Sequence, residues 1–214
     1  MPQIALHFLN ARGQLSSLQT WLEGALSETF SRSARLLPLG TVDVVVKAGT
    51  FVIPEKGHVG WAPEPGLIYL TVDPDHPSLR ANEHNAIERM FAHELHHCAR
   101  WDGPGYGKTL GDALTSEGLA GHFAQELYGA PPEPWECVPI TVLRAHVADA
   151  AKAWEQVDYD HSAWFFGTGP LPRWLGYSLG YQIVARYLAA HTAASASSLV
   201  HAKAEEFRAM LGAV

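Results

Sequence analysis

The chain has 214 residues, 47% hydrophobic and 17% charged, so it can bury a substantial core, and we expect one domain over residues 1–214. Its formal net charge of -7 argues against a nucleic-acid partner, because phosphate contacts need a surface rich in Lys and Arg. No stretch approaches the ~18 apolar residues of a membrane span, and the N-terminus lacks the basic and apolar segments of a secretory signal. We therefore expect a cytoplasmic protein with no membrane partner, while its oligomeric state stays open.

Strands are predicted in the first third of the chain. Short apolar or β-branched runs at 4–9 and 41–46 and the segment 66–72 indicate three of them. Residues 49–66 contain several Gly and Pro residues and predict a loop that ends in a turn.

One amphipathic helix is predicted early in the chain, and the other helices are predicted from residue 85 onward. Apolar spacing, with a capping box formed by Asn85 and Glu88, predicts a helix over residues 85–101. The predicted helices are 15–36, 85–101, 109–128, 140–156, 176–191 and 197–211, and 158–174 is predicted as a loop. Strands early and helices late indicate an α+β fold: a small, mostly antiparallel N-terminal sheet with helices, followed by a helical half.

Residues 93–97 read HELHH, an H-E-x-x-H pattern inside a predicted helix. His93 and His97 lie four residues apart, so they face the same way and can both bind one tetrahedral zinc. Glu94 would lie beside the metal, where it can take a proton from zinc-bound water. On a helical wheel Glu94 falls in the middle of an apolar face, where a lone carboxylate is costly and a zinc-bound water would meet it. The alternative is a surface helix with solvated histidines and Glu94 paired with an arginine.

The same wheel ranks the neighbours of this pair as ligands. His96 and Arg100 fall on the polar side, so we predict His97 rather than His96 as the second ligand. Cys98 follows directly but points about 100° away from His97, which leaves it a minor alternative. Cys98 and Cys137 are the only cysteines, too few for a disulfide framework.

A third ligand is predicted on the next helix, 109–128. Glu117 falls at the centre of its apolar face, and a carboxylate there is typical of a zinc ligand when a histidine pair lies just upstream. Gly121, one turn away, would let another helix approach closely. A buried ion pair between Glu117 and an arginine is the alternative. We expect one zinc per chain, with Glu117 on a helix packed against the HELHH helix.

These residues resemble a known signature. HELHH followed by SEGLA at 116–120 resembles the gluzincin (thermolysin-like) pattern, in which the Glu of such a segment is the third zinc ligand. The metzincin pattern fails, because Arg100 and Gly103 stand where it needs Gly and His.

The resemblance extends along most of the chain, about residues 66–187. The sequence is similar to a bacterial family of predicted Zn-dependent proteases that carries a domain-of-unknown-function label. The motifs that carry this similarity are HELHH, TLGDAL at 109–114, SEGLA, WFFG at 164–167 and PRWLGYSLGY at 172–181. The resemblance implies a gluzincin architecture and a protease-like site, but no particular substrate.

Hydrolysis of a peptide or protein substrate is the predicted reaction, with zinc polarising the scissile carbonyl and Glu94 as general base. A hydrogen-bond donor should face the developing oxyanion. In related gluzincins a tyrosine on a later helix often does this, and Tyr177 is our first choice, ahead of Tyr181 and His161. Each of these side chains could instead be packed with a satisfied polar group.

The strand before the zinc helix has two interpretations. As the edge strand does in many metallopeptidases, residues 67–72 would bind an extended peptide by strand addition. Alternatively this is an interior strand, since it offers little polar face.

Two other functions stay open: a zinc hydrolase of non-peptide amides or esters, and a catalytically idle domain braced by zinc that binds a partner. Glu94 argues against the idle domain, because a structural site needs no base and uses four protein ligands.

Overall fold

A computed structural model describes residues 2–214. Four strands lie in the first third and helices dominate the rest, which confirms the α+β class. The chain forms two compact units. The first runs to Asp102 and includes Leu127–Ala130, and the second comprises Gly103–Glu126 and Pro131–Val214. The expectation of a single domain stays a prediction.

The first unit is built on a four-stranded mixed sheet in the order β1-β2-β4-β3. Its strands are β1 (Ile4–Leu9), β2 (Val42–Ala48), β3 (His58–Glu64) and β4 (Leu67–Val72). β2 runs parallel to both β1 and β4, and only β3 is antiparallel to its neighbour β4. The expectation of a mostly antiparallel sheet is wrong, because a long helical connection between β1 and β2 permits parallel pairing.

β3 lies inside the segment 49–66 that the sequence predicted as a loop, so that prediction is wrong. Pro63 and Gly60 interrupt the alternation that marks a strand, and antiparallel pairing at the sheet edge tolerates both. β4 lies between β2 and β3, so the edge-strand interpretation of residues 67–72 is wrong and the interior one is confirmed. The edge strand next to β4 is β3.

The helices are bounded as follows. They are α1 (Gln19–Ser33), α2 (Pro77–Ala81), α3 (Ala86–Trp101), α4 (Leu110–Tyr128), α5 (Ile140–Ala153), α6 (Leu175–Ala190) and α7 (Arg208–Leu211). The predicted loop 158–174 contains one π-helical turn, Ser162–Phe166.

The predicted helix 197–211 is wrong, because only a 3-10 turn at Ala204–Phe207 and the short α7 form there. Serine side chains explain the difference. Ser198 Oγ donates to the Ser195 carbonyl, and Ser197 Oγ donates to Glu126. Such side-chain bonds compete with the helical backbone.

The start of α3 is held by Asn82 rather than by the predicted capping box. Asn85 has a left-handed φ of 57° and makes no side-chain cap bond, so that prediction is wrong. Asn82 Oδ1 instead accepts the Ile87 amide at 3.0 Å, and its amide donates to Glu88 at 2.9 Å. Asn82 thereby satisfies an orphan donor of the first turn.

The core of the first unit lies between the sheet and its helices. α3 contacts β3 and β4, and α1 contacts α3 and β1. β2 shows the expected alternation, with Val42, Val44 and Val46 buried while Asp43 and Lys47 are exposed. α3 is thus fixed in position by a packed sheet face.

In the second unit α4 and α6 cross closely. A Cβ at Gly118 would overlap the carbonyl oxygen of Gly180, so the two backbones touch there. The close helix approach expected at Gly121 occurs at Gly118, and Gly121 makes room for the Glu136 carboxylate. Among residues 2–214 no helix is both long enough and apolar enough to cross a membrane.

Candidate metal centre

The two histidines of HELHH converge from α3. The Nε2 atoms of His93 and His97 are 3.0 Å apart, with their ring planes at 81°. Two nitrogens bound at ~2.0–2.1 Å to one tetrahedral zinc would lie roughly 3.3 Å apart. The helical spacing therefore brings both nitrogens to the separation that one metal ion requires.

Glu94 is buried on the same helix beside the edge strand. Its side chain is 8% exposed, and it lies against Gly60 of β3. A Cβ at Gly60 would come within 2.5 Å of Glu94 Cγ and 2.8 Å of its Oε1. The missing side chain at Gly60 therefore creates the space that the Glu94 carboxylate occupies.

The positions of α3 that the helical wheel predicted to be polar and exposed are buried. His96 is 0% exposed and Arg100 is 1% exposed, so the placement of both on a polar side is wrong. A helix packed on several sides buries its polar residues as well, and these then need partners within the protein. Ligand choice depends instead on the four-residue spacing that pairs His97 with His93.

Cys98 points into the sheet rather than toward the histidine nitrogens. Its Sγ lies 3.8 Å from the carbonyl of Leu67 on β4, and the residue is 3% exposed. Burial, with the Glu94 charge second, raises the pKa of this thiol to about 12. The Cys98 sulfur thus faces the backbone of β4 rather than the histidine pair.

Glu117 lies on α4 and is 8% exposed. The Tyr106 hydroxyl donates to Glu117 Oε1 at 2.8 Å. Burial first, and the Glu117 charge second, raise the pKa of Tyr106 well above its usual value. The Tyr106 hydroxyl therefore stays protonated and donates a hydrogen bond to one of the two oxygens of the Glu117 carboxylate.

The Glu117 charge also acts on the pKa values of two other residues of the second unit, Tyr159 and His161. Burial raises the pKa of Tyr159 to about 12, with the Glu117 charge as the next cause. Burial lowers the pKa of His161, and Glu117 acts on it in the opposite direction. The Tyr159 hydroxyl and His161 Nδ1 are hydrogen-bonded at 3.1 Å. Both groups therefore lie within electrostatic reach of Glu117.

The two predicted oxyanion donors lie on α6 in different settings. Tyr177 is half-buried, and its ring meets Phe165 edge-on at 5.0 Å. Tyr177 is also one of the groups that raise the pKa of Tyr106. Tyr181 is 6% exposed, stacks on His122 at 4.0 Å and donates its hydroxyl to Gln125.

Three of the predicted site residues form one group. One ligand atom from each of His93, His97 and Glu117 lies within 4.8 Å of the other two, close enough to hold a metal ion. Two imidazoles and one carboxylate, with a fourth position open, are the donor set of a catalytic zinc site. The donor chemistry and the separation of the histidine nitrogens both fit zinc.

A family comparison agrees with this donor set. The family described as "Predicted Zn-dependent protease (DUF2268)" matches residues 22–209, which is most of the chain. The chain belongs to this family.

One relative of this DUF2268 protein is the "Uncharacterized protein YjfC" of Bacillus subtilis (strain 168). The two are 34% identical over 85 residues, which make up 38% of this chain and 27% of the relative. The match therefore spans about a quarter of that relative's length. No solved structure is significantly similar to the chain.

Sequence reasoning missed two residues of this DUF2268 site. Gly60 was hidden because its strand was predicted as a loop. Tyr106 lies in the short connection between α3 and α4, which carries no periodicity. The only available signal was its place between Gly105 and Gly107, a bulky residue in a turn otherwise made of small ones.

Proposed function

We propose that this protein is a gluzincin-type zinc peptidase, in which His93, His97 and Glu117 hold one zinc ion per chain. The observation that carries the proposal is the grouping of these three ligand atoms within 4.8 Å of one another. The family description supports the coarser statement that the protein is a zinc-dependent protease. A ligating Glu on the helix after HELHH is what specifies the gluzincin type.

Glu94 is the proposed general base. It directly follows the first ligand on α3, and Gly60 leaves room for its carboxylate at the sheet edge. A bound zinc supplies Lewis-acid chemistry, acidifying water and polarising a carbonyl. Glu94 would take the proton from the attacking water and return it to the leaving amine.

Tyr177 is the proposed donor to the charge that develops on the scissile carbonyl oxygen. It is preferred to Tyr181, because the Tyr181 hydroxyl donates to Gln125 and its ring is stacked on His122. Tyr177 is half-buried, on the turn of α6 that packs against Phe165.

The proposed partner is a peptide or protein substrate. A net charge of -7 disfavours nucleic acid, and the proposal keeps a cytoplasmic location without a membrane partner. The burial of Glu94 next to the histidines favours a catalytic zinc site. A zinc ion that only stabilised the fold would not need a general base beside it.

A substrate screen tests the proposal. The zinc-loaded protein is assayed against a fluorogenic peptide library and a panel of esters and non-peptide amides, then with a chelator, and again after zinc is restored. We expect chelator-sensitive peptide cleavage. Glu94→Gln should lower its rate by about 10²–10⁴-fold while zinc is retained.

Glu88→Gln makes the same change six residues earlier on the same helix, and should cleave like the wild type. Cleavage of esters or amides alone would replace the peptidase with another hydrolase. Stoichiometric zinc with no cleavage of any substrate would favour the idle binding domain. Normal turnover by Glu94→Gln would remove Glu94 from the mechanism.

A further inference from the structure

We infer that Tyr106 is a positioning residue that orients the Glu117 carboxylate for the metal. The inference rests on the proposed zinc site, and it assigns a role to a residue outside the ligand and base set. Tyr106 belongs to the connection between α3 and α4, and its hydroxyl donates to Glu117 Oε1 at 2.8 Å.

A carboxylate has two equivalent oxygens and rotates about its side-chain bonds. The hydrogen bond from Tyr106 occupies one lone pair of Oε1 and thereby favours one rotation of the carboxylate. Because a phenol is a donor and Glu117 is a pure acceptor, the polarity of this contact is fixed. Its effect is to fix the orientation of the carboxylate that would bind the metal.

Tyr106 is itself held at two points of α4. The hydroxyl of Ser116, the residue before Glu117, donates to the Tyr106 carbonyl at 3.0 Å. Adjacent residues of one helix therefore hold the backbone and the side chain of the same tyrosine. A residue that merely filled space would need neither bond.

The chain on either side of Tyr106 is shaped to make this possible. Gly105 and Gly107 have φ of 71° and 92°, which turn the chain back toward α4 at little steric cost. Asp112 Oδ2 then accepts the backbone amides of Lys108 and Thr109 at 3.0 and 3.1 Å. The loop is thus fastened to the first turn of α4 just after Tyr106.

Partners behind a metal ligand contribute to affinity by fixing its orientation, and their loss costs about 10–100-fold in metal binding. Tyr106 and Tyr177 therefore have different proposed roles. The Tyr106 hydroxyl proton is already committed to Glu117, so Tyr106 acts through the ligand rather than on the substrate.

The test is the zinc dissociation constant of Tyr106→Phe, measured by competition with a chromophoric chelator. We expect affinity about 10–100-fold weaker than wild type, in a zinc-free protein that is still folded by circular dichroism. Ser116→Ala, which frees the Tyr106 backbone, should weaken zinc binding in the same direction by up to about 10-fold.

Tyr128→Phe is the matched control. It also removes a bonded phenol hydroxyl, which lies 2.6 Å from Thr29 Oγ1, but in the first unit. Its zinc affinity should equal that of the wild type.

The Glu117→Ala background separates positioning from general stability. There Tyr106→Phe should cause no further loss of affinity, because no carboxylate remains to be oriented. An equal loss in both backgrounds would make Tyr106 merely structural and overturn the inference. Unchanged affinity of Tyr106→Phe in an otherwise normal protein would also overturn it, even if hydrolysis fell. Failure of the wild type to bind zinc would instead refute the proposed function.

Discussion

The two helices that carry the proposed ligands are held in place in different ways. α3 lies on a sheet and against α1, and its Glu94 occupies a space set by the backbone of β3 at Gly60. The Glu117 carboxylate on α4 accepts a hydrogen bond from a side chain, the Tyr106 hydroxyl, which comes from the eight-residue connection 102–109. The Glu94 region therefore depends on the backbone position of β3, and the Glu117 region on a hydrogen bond between side chains.

This difference predicts different responses to mutation. Around α3, adding atoms to a side chain should displace Glu94, because the core is closely packed. Around α4, removing one hydroxyl should be enough to loosen the ligand. The following changes probe that contrast.

The histidine pair should show the largest effect. His93→Ala and His97→Ala should each abolish stoichiometric zinc, whereas His96→Ala should retain it. With free zinc at about 1,000 times the dissociation constant, losing the site would also remove about 4 kcal/mol of stability. Metal analysis and melting curves of the purified variants measure both effects. Retention of zinc by His97→Ala, with loss in His96→Ala, would show that the i, i+3 pair is the real one.

Glu117 should come next. Glu117→Ala should weaken zinc binding and lower the melting temperature in zinc, because metal binding is linked to folding. Glu117→Gln should do less damage, since an amide oxygen can still ligate weakly. Chelator competition measures the affinities. Equal affinity of Glu117→Ala and wild type would exclude Glu117 as a ligand.

Gly60 tests the backbone-defined half of the comparison. Gly60→Ala places a Cβ 2.4 Å from Met90 Sδ and 2.5 Å from Glu94 Cγ, so both side chains must shift. A displacement of the base near 1 Å costs about 100-fold in rate. Gly24→Ala is the control, because a Cβ at that α1 position meets nothing within 4 Å. Peptide turnover and zinc content are measured together. Full activity of Gly60→Ala would mean that the position of Glu94 is not set by β3.

His58, at the start of β3, should give the smallest effect. Burial lowers its pKa from 6.5 to about 3, with Lys56 and His76 adding to the shift. The folded state therefore holds His58 neutral, while the unfolded chain takes up a proton below pH 6.5. Stability of the zinc-free protein should fall with pH from 6.5 toward 3, by about 1.4 kcal/mol per unit.

Denaturant unfolding at pH 7.5 and 5.5 tests this. His58→Leu should remove about 1 kcal/mol of the pH-dependent loss by pH 5.5. His84→Asn is the control, because His84 is exposed and asparagine tolerates its φ of 56°. An identical pH dependence in wild type and His58→Leu would contradict the assignment.

The part of the site that lies on long helices was predictable from the sequence. Four-residue spacing placed His93 and His97 together, and an acidic residue on an apolar stripe singled out Glu117. Both signals depend only on helical geometry. The α+β class and most helix bounds followed from the same periodicity.

The rest depends on contacts between residues distant in sequence. Gly60 contacts Glu94 through strand pairing, and sequence alone did not reveal that β3 forms the edge of a largely parallel sheet. The helical wheel also placed His96 and Arg100 on an exposed side, because it assumes that a helix has one solvated face, whereas both residues are buried. Serine bonds in residues 195–198 replaced a helix that composition favoured.

The most direct test of the central claim is a crystal structure of the zinc-loaded protein with an anomalous map at the zinc edge. We predict one peak, with His93 and His97 nitrogens at about 2.0–2.1 Å and one Glu117 oxygen at about 2.0–2.2 Å. The Tyr106 hydroxyl should donate to the other Glu117 oxygen. A peak whose third protein ligand is Cys98, Asp102 or His122 would contradict the gluzincin assignment.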